Sequence, residues 1–260
     1  MGTAQVQGEL WGARAREWAD LQEPSMRPLY EAAFKATHLG KDRSILDVGC
    51  GAGLALQIAL GHGAKVAGID AAQGLVTLAR ARCPGADIKL GEIEELPYAD
   101  HTFDIVTGFN SFQYAGDPVR ALGEAKRVAR TNGYVLLAVW GAAEHCELAS
   151  YIAALAKLLP PPPPGARGPF ALSAPGALEE LVGQAALRPE GASTVRTTMS
   201  FPDEATALRG LLASGVAERA IRNSGEAAVS HGIAQAIKPF RDAKGAYAFR
   251  NEWRFLTSRA

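Results

Sequence analysis

Apolar positions in this chain switch between two periods, and the switches divide it into strands and helices. Ile45, Leu46 and Val48 form a short β-type run. Leu54, Leu56, Ile58 and Leu60 follow at spacings that suit a tight turn and then a helix. A second short run covers residues 64–70 and ends in an acid. A third is Asp87 to Leu90, a fourth covers 102–110 with the continuous apolar character of a buried strand, and a fifth covers 131–140. Between them, residues 73–81 and 119–129 read as helices, the second with Pro118 in its first turn after Asp117. Strands alternating with helices predict an α/β chain built on a parallel sheet.

The flanks are less regular. Residues 10–39 predict two helices broken near Glu23, Pro24 and Ser25. Trp11, Ala15 and Trp18 or Ala19 recur at helical spacing, so both tryptophans share one face. That face either packs on the main domain or forms, with Tyr30, an aromatic lid over a site. Beyond Trp140 a helix is expected from about 143 to 159, then a stiff spacer from the prolines at 160–164 and Gly165. Residues 172–181 read as a helix starting near Ser173 or Ala174, and 194–201 as a strand. Helices interrupted at Ser224 and Gly225 fill 203–243, and 247–256 alternates aromatic and polar residues as a final strand would.

The chemistry concentrates where the first strand meets its helix. Gly49, Gly51 and Gly53 let the backbone take positive φ and approach a ligand, and the N–H groups of a helix start favour electron-rich atoms. The spacing is G-x-G-x-G, and Leu54 stands where a dinucleotide fold wants its third glycine, which weakens a pyrophosphate reading. Asp47 would repel a phosphate and could accept from an ammonium group. Asp70 lies 21 residues after Gly49, close to the ~20 expected of a carboxylate that binds ribose hydroxyls. It is also suited to cap the helix that follows.

Composition narrows the partners. Hydrophobic residues make up 48% and charged residues 21% of the 260, with a formal net charge of +0, which argues against a nucleic-acid polyanion. No run approaches the ~20 apolar residues of a membrane helix and the first nine residues have neither a basic leader nor an apolar core, so a soluble, cytoplasmic protein with no membrane partner is expected. Cys50, Cys83 and Cys146 lack metal or disulfide spacing, so no metal is expected.

From Leu46 to Gly53 the chain closely resembles motif I of the class I S-adenosylmethionine (SAM) dependent methyltransferases, of the type 11/25-like small-molecule kind. The resemblance extends over residues 44–140 through Asp70, the Glu92 segment, the Phe103-Asp104-Ile105-Val106 strand and the Thr131-Asn132-Gly133 turn. It implies a doubly wound, mostly parallel, seven-stranded Rossmann-like sheet with N-terminal helices and a helical cap inserted before the last strand. The expected division is a lid over 1–40, a SAM-binding core over 41–202, a cap over 203–243 and the final core strand over 244–260. It implies SAM as cofactor and S-adenosylhomocysteine as product, held by Asp47, Gly49, Cys50, Gly51, Asp70, Ala71, Leu75, Glu92, Ile93, Glu94, Phe109 and Asn110. Glu92 and the Ile93 N–H would clasp the adenine, although Asp is the more frequent residue at the Glu92 position.

Methyl transfer from a sulfonium is an in-line displacement in which the protein aligns the acceptor and excludes water. A hydroxyl acceptor would profit from a base, for which His145, just past the fifth strand, is the first candidate and His231 on the cap the second. Trp11, Trp18, Tyr30, Phe112, Tyr114 and Trp140 would suit a planar or apolar small molecule, or an ordinary core. A SAM-binding protein that does not methylate, and an NAD-dependent oxidoreductase, are the alternatives; Asp47 and Leu54 argue against the second. The acceptor atom, and whether the protein is a monomer or a homodimer, are not legible.

Overall fold

The computed structural model describes residues 2–160 and 170–260. The chain enters through α1 (Ala4–Gly12) and a single turn, α2 (Ala15–Glu17), then a π-helical turn over Trp18–Gln22 and a 3₁₀ turn over Glu23–Met26 into α3 (Arg27–Ala36). The break near Pro24 is as expected. The helix before it starts earlier and breaks at Ala13–Arg14, because α1 is drawn down onto the site: a β-carbon on Gly8 would lie 2.2 Å from the Ala71 carbonyl oxygen.

Next come β1 (Ser44–Val48), α4 (Leu54–Gly61), β2 (Lys65–Asp70), α5 (Gln73–Arg82), β3 (Asp87–Leu90), β4 (Phe103–Phe109), α6 (Pro118–Val128) and β5 (Ala129–Trp140). Pro118 starts α6 while the Asp117 side chain accepts from the Arg120 N–H at 3.0 Å, the capping arrangement that ends the preceding loop. The helix expected over 143–159 is two pieces, a 3₁₀ turn at Ala143–His145 and α7 (Ala149–Ala156). Between them the Glu147 N–H donates to the Arg250 carbonyl and the Leu148 N–H to Asn251 Oδ1, so the backbone is held to a neighbouring strand instead of to itself. Most of the proline run lies outside the described residues.

Helix α8 (Ala177–Gln184) begins after Gly176, at φ 79°, later than Ser173, whose hydroxyl instead donates to the Trp140 carbonyl at 2.6 Å. The last units are β6 (Arg188–Phe201), α9 (Glu204–Leu212), α10 (Gly215–Ser224), α11 (Glu226–Ile237) and β7 (Tyr247–Arg259). The first half of β6 is exposed and shows no apolar alternation, which is why only its second half was legible as a strand.

The sheet order is β3-β2-β1-β4-β5-β7-β6. Strands β1 to β5 are parallel, β7 runs antiparallel between β5 and β6, and α9 to α11 fill the connection from β6 to β7. This is the seven-stranded doubly wound sheet with N-terminal helices and a helical insertion before the last strand that the pattern and the resemblance imply.

Alternate strand residues serve opposite layers. Ile45, Ile105 and Leu136 pack on Ala33 and Phe34 of α3 and Ala55 and Ala59 of α4, whereas Leu46, Val106 and Leu137 pack on Leu122 and Ala125 of α6 and Val182 of α8. Each such aliphatic burial stabilises by roughly 1.5–3 kcal/mol, so Leu136→Ala should cost about 2–5 kcal/mol. A separate cluster joins α7, α9, α10 and α11 to Met199, Phe201, Tyr247 and Phe249 near the ends of β6 and β7. Strand order reverses between β1 and β4, and the carboxyl ends of those strands are where a doubly wound sheet presents its ligand site.

Candidate active site

Gly49, Gly51 and Gly53 all take positive φ, at 75°, 55° and 83°. The loop is tied to β2: the Gly49 and Cys50 N–H groups donate to the Ile69 carbonyl, and the Gly51 N–H donates to Asp70 Oδ2 at 2.9 Å. Close packing on the cavity side also demands glycine. A β-carbon would meet Ser111 Cβ at 2.4 Å from Gly49 and the Trp18 ring at 2.6 Å from Gly51. Ser111 completes the switch point by donating to the Val48 carbonyl at 2.6 Å.

The start of α4 is not open to an anion. Glu23, 1% exposed, reaches in from the N-terminal 3₁₀ turn and accepts from the Leu54 N–H at 3.3 Å while pairing with Arg82 of α5. Burial raises its pKa, and the Arg82 guanidinium works against that rise. A protein carboxylate thus occupies the helix start that a pyrophosphate would need, and the expectation of free N–H groups there is corrected.

Asp47 is 2% exposed, faces the cavity and accepts from the Thr107 hydroxyl at 2.8 Å. Desolvation pushes its carboxyl up to about 7, with Thr107 opposing and Asp70 and Glu23 adding to the rise. Asp70 accepts from the Gly51 and Ala72 N–H groups, so it both braces the glycine loop and starts α5; burial raises its pKa as well. A buried acid short of a countercharge, beside three positive-φ glycines, fits the ammonium end of an aminoacyl sulfonium ligand.

Glu92 and Ile93 line the same cavity. Their polar atoms are engaged: Glu92 Oε1 accepts from the Ile93 N–H at 2.8 Å and Oε2 from the Ala4 N–H at 2.9 Å, so Glu92 fastens the start of α1. Ala71, Leu75, Cys50, Phe109 and Asn110 also line the cavity. Asn110 does so in the left-handed region at φ 57°, a strained position for a non-glycine residue. Glu94 does not: it is 5% exposed and accepts from the Gly116 and Asp117 N–H groups.

The cavity, about 1440 Å³ including its open mouth, continues past the glycine loop to the cap side. Trp11, Trp18, Tyr30, Tyr114 and Trp140 line it, whereas Phe112 is 2% exposed and packs in the sheet core. Trp11 meets Tyr114 edge-on at 5.6 Å. Sequence reasoning missed Glu23, and also Trp253, Tyr151, Met199 and Ser214 on the far wall. Trp253 stacks on Trp140 with centroids 4.1 Å apart, and the Tyr151 hydroxyl bonds the Leu211 carbonyl and Ser214 Oγ. The aromatic alternation of the last strand was the available signal for Trp253.

Neither histidine reaches the cavity. His145 is exposed on its 3₁₀ turn with Nδ1 3.0 Å from Glu252 Oε1, and His231 is exposed on α11.

Sheet order and the glycine turn define a Rossmann-like fold, with acids near the ends of β1 and β2 facing its cavity. Residues 46–137 match the family model described as a methyltransferase domain. The chain is 33% identical over 113 residues to the malonyl-[acyl-carrier protein] O-methyltransferase of Serratia marcescens, covering 44% of each. It is 31% identical over 136 residues to the ubiquinone biosynthesis O-methyltransferase of Alkalilimnicola ehrlichii, covering 48% of this chain and 55% of that protein. The match thus spans about half the length of these curated relatives. A Bacillus halodurans C-125 crystal structure assigned as a methyltransferase shares the fold, with a TM-score of 0.59 and 17% identity over 88% of this chain and 97% of that one. The likeness to methyltransferases is thus carried by residues 46–137, and the sheet they belong to has the fold of that crystal structure.

Proposed function

We propose that the protein transfers the methyl group of SAM to a small-molecule acceptor bound between the N-terminal helices and the cap. The observation that carries this reading is Asp47: a carboxylate at the end of β1, buried beside the glycine turn, facing a cavity that runs on into an aromatic chamber. Two curated relatives are by name O-methyltransferases, one of malonyl-[acyl-carrier protein] and one of ubiquinone biosynthesis, which supports methyl transfer.

Bound SAM would supply an already activated methyl group. Asp47 is suited to hold the amino-acid end, the Gly49–Gly51 backbone to lie against it, and Asp70 and the 91–93 loop to take the adenosine. Trp18, Trp11 and Tyr114 close the chamber against water, which preserves the alignment on which an in-line displacement depends. Adenine recognition by the Ile93 N–H requires that group to leave Glu92 Oε1, while Glu92 can accept from the adenine amine without releasing the Ala4 N–H. Ser111 and Asn110, at the end of β4, are suited to orient the acceptor. The expected working place is the cytoplasm; among the described residues no helix is long and apolar enough to cross a membrane.

Isothermal titration with SAM and S-adenosylhomocysteine tests the cofactor assignment, and mass spectrometry of SAM incubated with a panel of phenols, amines, thiols and carboxylates tests transfer. Clean, folded protein that binds neither ligand would overturn the reading.

A further inference from the structure

Among the described residues the cavity wall carries three carboxylates, Asp47, Asp70 and Glu92, and no Lys, Arg or His. SAM brings a sulfonium, an ammonium and a carboxylate, hence one net positive charge, so wall and cofactor together stay negative. The acceptor half is apolar and flat-sided. Trp140 and Trp253 are stacked at an interplanar angle of 24°, Ile152 and Met199 fill in beside them, and the hydroxyls of Tyr151 and Ser214 are engaged with each other and with the Leu211 carbonyl.

We propose that the acceptor enters uncharged, as a flat aromatic ring bearing a weakly basic amine or a phenol-type hydroxyl, and that the wall rejects carboxylates and phosphates. The inference rests on the methyl-transfer reading and narrows it. An anion here would give up its water among indole and aliphatic surfaces and meet no cation of the described wall, which is net negative. A neutral ring loses little on the same transfer and gains the stacking surface. The chemistry balances without a side-chain base. The nucleophile's lone pair forms the new bond to the methyl carbon, the carbon–sulfur bond breaks with its electron pair remaining on sulfur, and the product's surplus proton passes to water.

The test uses one ring system with three head groups: 2-naphthylamine, 2-naphthol and 2-naphthoate. S-adenosylhomocysteine binding to the full chain is measured first by titration. Each arene is then titrated into the saturated protein, and turnover with SAM is followed by mass spectrometry. The amine or the naphthol should bind at least about tenfold more tightly than the naphthoate. Val216→Lys, a half-buried position on the same wall, should narrow that gap by strengthening naphthoate binding. Naphthoate binding as tightly as the neutral rings, or no arene binding to protein that holds S-adenosylhomocysteine, overturns the charge selection and leaves the methyltransferase reading standing. Absence of S-adenosylhomocysteine binding overturns both.

Discussion

The Trp18 ring lies against Gly51, so close that a β-carbon there would fall 2.6 Å from its edge. The N-terminal segment is therefore packed directly on the glycine turn, and the turn's sequence is constrained from both sides: by its own φ of 55° and by the indole above it.

Gly51→Ala should lower stability by about 1–3 kcal/mol and weaken SAM binding, measured by urea denaturation and titration. Adding Trp18→Ala removes the clash but not the backbone strain. The double variant should recover part of the lost stability; full recovery would show that φ contributes nothing.

The raised Asp47 carboxyl sets a pH dependence. Its folded-state value of about 7 lies above the ordinary 3.8, so the unliganded folded protein holds this proton more tightly than the unfolded chain does. Its contribution to stability is present at low pH, falls as pH rises from 3.8 to about 7, and then levels off. An ammonium ligand needs the ionised carboxylate, so SAM affinity should rise between pH 5 and 7 by up to about tenfold per unit. Asp47→Asn should flatten both curves, and an unchanged slope in that variant would remove Asp47 from the site.

Glu23→Gln breaks an ion pair whose carboxylate is 1% exposed and leaves the Arg82 side chain, 23% exposed, without its partner. We expect a loss of about 3 kcal/mol, the lower end for a buried pair because solvent reaches Arg82. A double-mutant cycle with Arg82→Gln measures the coupling, which should exceed ~1 kcal/mol.

His145→Ala and His231→Ala should each leave turnover within about twofold, since neither ring lines the cavity. Loss of a general base would instead cost ~100-fold or more, so steady-state rates at saturating SAM decide the matter directly.

What the sequence discloses about this site follows chain distance. Asp47, Gly49, Gly51 and Asp70 belong to one strand–turn–helix–strand unit, where spacing carries geometry. Glu23 is invisible at that range: an acid beside a proline gives no sign that it will enter the core and meet Arg82, 59 residues later. Glu92 was legible as a cavity residue, but its bond to the Ala4 N–H needed the path of α1. Trp253 was legible as part of a strand, yet alternation alone does not say which of its two faces meets a ligand. The break in the helix after β5 arises from bonds to Arg250 and Asn251, and no local pattern records them.

The insertion of α9 to α11 between β6 and β7 separates two kinds of inheritance. The glycine turn, the acids behind it and Ser111 come from one continuous stretch that overlaps the region matched by the family model. Leu211, Ser214 and Val216 come from a segment whose two ends are anchored in neighbouring strands, so it can lengthen, shorten or be exchanged while the sheet stays in register. One part of the cavity wall can therefore diverge with the insertion while the Trp140–Trp253 pair and the glycine turn, which sit on the sheet, stay where they are.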